Sequence, residues 1–112
     1  MGARAENNAA VAFTGIGSMT HFTVWDSATG GNLQGSGVLG TPQPLPAQFL
    51  ANVLRIEVGD GVFSDDSDKA SVDARKAKIT HIQAHSGAPG ADGTNNTLGN
   101  RVAVTWGQTI EV

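Results

Sequence analysis

Few residues in this chain could carry chemistry: three histidines, ten acidic and seven basic side chains, two tryptophans, and no cysteine or tyrosine. His81 and His85 stand at i, i+4, a spacing that on a helix turns two imidazoles towards one metal. Their surroundings, Ile79 to His85 (ITHIQAH), read as a strand, and Gly87 and Pro89 follow closely. On a strand, positions four apart lie roughly 13 Å from each other. Each histidine is therefore expected to be a hydrogen-bonding side chain on a sheet. Asp60, Asp65, Asp66, Asp68 and Asp73 could offer oxygens to calcium, but no glycine and closing glutamate stand in EF-hand register. They read as turn and helix-cap residues. Gly35-Ser36-Gly37-Val38-Leu39-Gly40 matches G-x-G-x-x-G, a dinucleotide site only where a helix follows to meet the phosphate. Pro42, Pro44 and Pro46 remove that helix. No G-x-S-x-G elbow is present. Without cysteine there is no disulfide, thiolate zinc site or thiol nucleophile. The expectation is a protein that is not an enzyme, with no catalytic, cofactor-binding or metal-binding residue.

Composition narrows the class further. Of 112 residues 15 are glycine and only 15% are charged, which excludes a coiled coil; 39% are hydrophobic, which argues against disorder. A net charge of −3 gives no general footprint for nucleic acid. Lys69, Arg75, Lys76 and Lys78 lie among Asp65, Asp66, Asp68 and Asp73, as on a solvated helix face. No apolar run has membrane-spanning length, and Ala9 to Phe13 is too short for the core of a signal peptide. Synthesis and folding in a cytoplasm are expected, with no membrane partner.

The elements that must position these residues are short. Residues 1–8 (MGARAENN) read as a polar surface arm preceding one domain, 9–112. Ala9 to Phe13 and Met19 to Asp26 read as strands. In the second, Phe22 and Val24 share one face, and His21, Thr23 and Trp25 the other. Asp26 to Gly31 is a turn, 33–40 a short edge strand, and 41–46 an extended crossover in which three prolines forbid a central strand. Asn52 to Val58 alternates as a strand, with a Gly59-Asp60-Gly61 turn returning through Val62 and Phe63 as a hairpin. Asp68 to Lys78 is the one helical segment, with Ser67 as N-cap and a thin face of Ala70, Val72, Ala74 and Ala77. Strands follow at 79–85, 101–106 and 109–112, separated by a polar loop, 86–100, of a length that is often functional. Met19-Thr20-His21-Phe22 is echoed by Ile79-Thr80-His81-Ile82, which suggests two equivalent strands. The fold class expected is all-β: a β-sandwich of about seven or eight short antiparallel strands with one accessory helix near 68–78. Its core would comprise Val11, Phe13, Phe22, Val24, Leu54, Ile56, Val58, Ile82, Val102, Val104 and Trp106.

The stretch THFTVWDSATGGNLQGSGVLGTPQPL, residues 20–45, resembles a segment of the small tail-fibre or minor-tail proteins of tailed bacteriophages, of the type "thfglwDaatGGnll..gaLttpk". In those proteins an alternating strand and hairpin follow, which LRIEVGDGVF (54–63) resembles. They also carry a short helix, an "LHTadPG" motif and a "yaRvavtw" strand. DKASVDARKAK (68–78) is similar to the helix, and RVAVTW (101–106) to the strand. His85, Ser86, Pro89 and Gly90 match the motif, with Ala84 in place of leucine and Ala88 in place of aspartate. The resemblance covers most of the chain, but its halves run in the reverse order, as in a circular permutation or a fragment of a tandem array. It implies a virion structural protein, tail-associated, made in the bacterial host cytoplasm and held by contacts with other virion proteins, as a homo-oligomer or in many copies. Capsid decoration is the alternative; recognition of a host-surface glycan is a further one. The contact elements expected are the arm with Arg4, the proline segment with Pro42, Pro44 and Pro46, the loop with Asp92, Asn95 and Asn96, and Trp25.

Overall fold

The computed structural model describes residues 2–59 and 62–111. In chain order it contains β1 (Ala3–Glu6), β2 (Val11–Phe13), β3 (Ser18–Trp25), β4 (Leu33–Pro44), β5 (Ala47–Phe49), β6 (Arg55–Val58), α1 (Asp65–Lys78), β7 (His81–His85), β8 (Thr97–Ala103) and β9 (Ile110–Glu111). Among the described residues the strands form three antiparallel sheets, ordered β6-β1-β9, β2-β5 and β4-β3-β7-β8. The protein is all-β with one accessory helix.

Residues 3–6 are not a surface arm. They form the middle strand of the first sheet, paired with β6 on one side and β9 on the other. The sequence Ala-Arg-Ala-Glu alternates, but its inward residues are alanines, too small to announce a core strand. Ala3 and Ala5 are buried beneath α1, where a small side chain lets the helix lie close. Arg4 sits on the opposite face, half-buried, with Nε 4.0 Å from Glu6 Oε1.

Other boundaries also move. Val62 and Phe63 form no returning strand; they are exposed and lead directly into α1, while Asp60 and Gly61 lie outside the described residues. The helix begins three residues before the expected start, because Ser64 caps it: its Oγ accepts from the Ser67 N–H at 3.2 Å. Asp65, Asp66 and Asp68 then occupy the positive first turn, and Arg75, Lys76 and Lys78 the last. Of the expected apolar face only Val72 is buried; Ala70, Ala74 and Ala77 are exposed. The proline segment continues β4, which is an edge strand, so the missing N–H groups of Pro42 and Pro44 interrupt no central ladder. Beyond it the chain crosses to the β2-β5 pair, where β5 is a strand with no expected counterpart.

Two clusters make the interior. Val11, Phe13, Met19, Phe49, Ile82, Ala84 and Val104 form the larger. Phe49 stands edge-on to Phe13 at 5.3 Å and to Phe22 at 6.0 Å, a favourable aromatic arrangement. Ala3, Ala5, Ile56 and Val72 form the smaller. Ile79 and Trp106 pack against both, and Trp106 Nε1 donates to Ile79 O at 2.7 Å. Of the expected core, Val11, Phe13, Ile56, Ile82 and Val104 are fully buried, and Phe22, Val24, Leu54, Val58, Val102 and Trp106 partly so.

The repeated Met/Ile-Thr-His segments are equivalent strands and lie side by side in one sheet. β3 and β7 pair with His21 opposite His85, Thr23 opposite Gln83, and Trp25 opposite His81, a register symmetric about its centre. The likeness extends to side chains: Thr20 Oγ1 bonds His21 Nδ1 at 2.8 Å and Thr80 Oγ1 bonds His81 Nδ1 at 2.9 Å.

Asn7 is the polar hub between β1 and the turn before β6. Wholly buried, it donates from Nδ2 to Ala9 O at 2.8 Å and Leu50 O at 3.0 Å, and accepts at Oδ1 from the Leu54 N–H at 2.9 Å. Asn7→Ala strands three backbone groups and is expected to cost about 2–4 kcal/mol in urea unfolding. A change below about 0.5 kcal/mol would show that water replaces the amide without loss.

Candidate functional site: the loop-covered face of the sheet

Residues directly opposite in an antiparallel pair point to the same side. The β3–β7 register therefore gathers His21, Thr23, Trp25, His81, Gln83 and His85 on one face, and Phe22, Val24, Ile82 and Ala84 on the other. The second set feeds the core. The first would ordinarily face water, yet Thr23 and His85 are 0% exposed and Trp25 is 5%. The loop 86–96 folds back over them.

A directional hydrogen-bond chain ties the loop to the sheet. Trp25 Nε1 donates to Thr23 Oγ1 at 2.7 Å, and Thr23 Oγ1 lies 2.7 Å from His85 Nε2. His85 Nδ1 lies 2.7 Å from the carbonyl oxygen of Asn95. A carbonyl only accepts, so Nδ1 carries the proton and Nε2 accepts from the threonine hydroxyl. The neutral Nδ1–H tautomer satisfies every group. Burial holds the His85 imidazole below the ordinary histidine range; the Asn95 carbonyl acts in the opposite direction, and His21 opposite it lowers it further.

Within the loop, Ser86 N donates to Asn96 O at 2.8 Å and Asn95 N to Pro89 O at 2.9 Å. Asn96 Nδ2 reaches Ala88 O at 2.9 Å, and Asp92 Oδ1 accepts from the Thr94 hydroxyl at 2.8 Å and its N–H at 3.2 Å. The hydroxyl and then the N–H hold the Asp92 carboxyl below the usual range. Gly93, at φ +72°, lies against Trp25 and Leu33; a Cβ there would come within 3.0 Å of the indole and 2.9 Å of Leu33. Only glycine fits this contact and this backbone.

Arg101 ties the turn 26–32 to the same tryptophan. Asp26 Oδ1 accepts from the Asn32 N–H at 2.7 Å and Oδ2 from its side chain at 3.1 Å, which lowers the Asp26 pKa. Arg101 lays its guanidinium 3.7 Å from the Trp25 ring centroid and donates to Ser27 O at 2.9 Å and Gly30 O at 2.7 Å. Between this turn and β8 opens a cavity of about 420 Å³, bordered by Thr29, Gln83, Asn100 and Arg101.

The structure sorts the expected contact residues. Asp92, Asn95 and Asn96 are exposed on the fixed loop. Pro42, Pro44 and Pro46 are exposed but belong to β4 and the crossover after it. Arg4 is in a central strand rather than on an arm. Trp25 is not available to a partner or a sugar ring: Arg101 covers its face and Gly93 packs on its edge. Thr23, Gly93 and Arg101 carry the geometry without having stood out. The Thr23–Trp25 spacing on one strand face was the available signal; the return of a distant loop was not. Among the described residues no three histidine or acidic groups gather for a metal, and no helix is long and apolar enough to cross a membrane.

Two outcomes follow. Thr23→Val keeps shape but orphans the Trp25 N–H and His85 Nε2; a loss of about 1–3 kcal/mol is expected, with faster amide exchange over 86–96 while the core stays protected. Unchanged exchange in the loop would show that the chain does not fasten it. For pH, a depressed histidine binds a proton more readily in the unfolded chain. His85's contribution is complete above its ordinary 6.5 and is lost as pH falls through its lower folded value. Asp26 and Asp92 act separately, below their ordinary 3.8. Urea unfolding across pH should show the first decline in the native protein and not in His85→Asn.

No family model, curated protein or solved structure matches this chain.

Proposed function

We propose that this chain is a bacteriophage virion structural protein, non-enzymatic, holding a repeated place on the particle through protein–protein contact, in the tail as a minor-tail or fibre component. The observation that carries this reading is how the two stretches resembling tail proteins are built into one another. In the first, Trp25 and Asp26 end β3 and shape the turn to Asn32. In the second, His85 anchors the loop and Pro89 is buried within it, its carbonyl accepting from Asn95. Gly93 on Trp25 and the His85–Thr23–Trp25 chain join them. Trp25, Asp26, His85 and Pro89 of the resembling stretches thus all serve to fix a surface.

That surface suits protein contact. The loop presents Asp92, Asn95 and Asn96 outward on a backbone held by its own hydrogen bonds, so a partner orders little on binding. Covering of Trp25 removes the stacking platform on which the glycan reading depended.

The test is mass spectrometry of purified particles with copy-number estimation, joined to labelled electron microscopy. A low copy number matching the tail's symmetry and label at the tail are expected. A number matching the capsid lattice would move the protein to head decoration, and absence from the particle would overturn the virion reading. Asn95→Arg, which alters an exposed side chain, should leave thermal stability unchanged and reduce incorporation several-fold; full incorporation would remove the loop from the contact.

A further inference from the structure

The edges of the sheets are not equally protected. β6 carries Arg55 and Glu57, β8 carries Arg101, β9 carries Glu111, and β2 and β5 are three residues each. Charge and brevity are the usual guards against pairing with another chain. β4 has neither. It runs for 12 residues, LQGSGVLGTPQP, without a charge, and it ends its sheet with β3 as its sole strand partner among the described residues. Val38, on its outer face, is 72% exposed. Before Pro42, alternate residues turn their N–H and C=O groups to the open edge; Pro42 and Pro44 then stop the ladder.

The core-side face of this edge is hollow. Gly35 and Gly37 pair with Val24 and Phe22, and a Cβ on Gly37 would fall 2.4 Å from the tip of the Phe22 ring. The glycines of the apparent nucleotide motif therefore make room for an aromatic ring that reaches across the last strand. Beside them opens a cleft of about 340 Å³ whose apolar lining includes Phe22, Val24, Leu54, Ile56 and Ile82 and whose charged lining is Arg55, Glu57 and Arg75. No side chain of β4 at 35 or 37 closes it.

The geometry points to a second copy of this chain as the occupant, its β4 pairing antiparallel with the first about a twofold axis at Gly37. This register uses residues 35–39, the part of β4 between its two shifts in pairing with β3. Directly opposite residues share a face. Leu39 of one copy then stands opposite Gly35 of the other, on the side that opens into the cleft, and reciprocally. The large residues meet the small ones twice. The Phe22 rings, each lying over its own Gly37, converge on the axis. An uncharged strand meets itself without like-charge repulsion, and the two four-stranded sheets become one of eight.

The test is sedimentation velocity on the whole chain over a range of concentrations, with Val38→Lys and, as control, Ile16→Lys at another exposed apolar residue. The expected result is a concentration-dependent dimer of twice 11.5 kDa, weakened at least about tenfold by Val38→Lys and unchanged by Ile16→Lys. Because the chain has no cysteine, register can be read directly. Ser36→Cys mixed with Val38→Cys should oxidise to the mixed dimer in preference to either like pair. A monomer at every soluble concentration would overturn the proposal and leave the edge to an extended strand of another protein. So would a dimer indifferent to Val38→Lys that forms no 36–38 cross-link. Neither outcome bears on the particle assay, which reads location rather than pairing.

Discussion

A short chain with one four-stranded sheet has two sheet faces to dispose of, and the buried hydrogen-bond chain Trp25–Thr23–His85–Asn95 decides the second. The first face is apolar and finds the rest of the protein. The second carries three histidines, a threonine, a glutamine and a tryptophan. Covering such a face costs free energy unless each polar group finds a partner. Here every donor on the chain meets an acceptor, and the last acceptor is a backbone carbonyl of the covering loop. The loop is fixed because the face needs it, and the face is buried because the loop supplies the final bond.

Glycine has two distinct uses in this arrangement. At Gly93 the absent side chain lets backbone touch the indole, and the positive φ turns the loop over it. At Gly37 the backbone is ordinary, and what counts is the room left for Phe22. The same economy appears at Ala3 and Ala5, where small residues admit the helix. Trp106 and Ile79 then join two modest clusters that neither could stabilise alone.

Strand periodicity made most of the larger sheet legible. β3 and β7, and β6 in the smaller sheet, were visible as strands, whereas the prolines suggested a crossover at 41–46 and residues 41–44 instead continue β4 along the sheet's edge. β1 escaped because alanine carries little hydrophobic signal, so a central strand resembled a polar arm. The hairpin expected after β6 failed because Ser64 and three following aspartates favour a helix start more strongly than Val62 and Phe63 favour a strand. The faces of β3 were assigned correctly, but the side that buries Trp25 was not, since its cover comes from a loop some sixty residues away in sequence. Local pattern tells which residues share a face; it does not tell what will lie upon it.

Covering the polar face changes which surfaces remain for other molecules. A tryptophan and a histidine exposed on a bare sheet would invite many weak partners. Sealed, they leave a rigid polar loop and an uncharged strand edge, two surfaces recognised by shape and by backbone hydrogen bonds. Both are already ordered before any partner arrives, so association does not have to include the cost of fixing them.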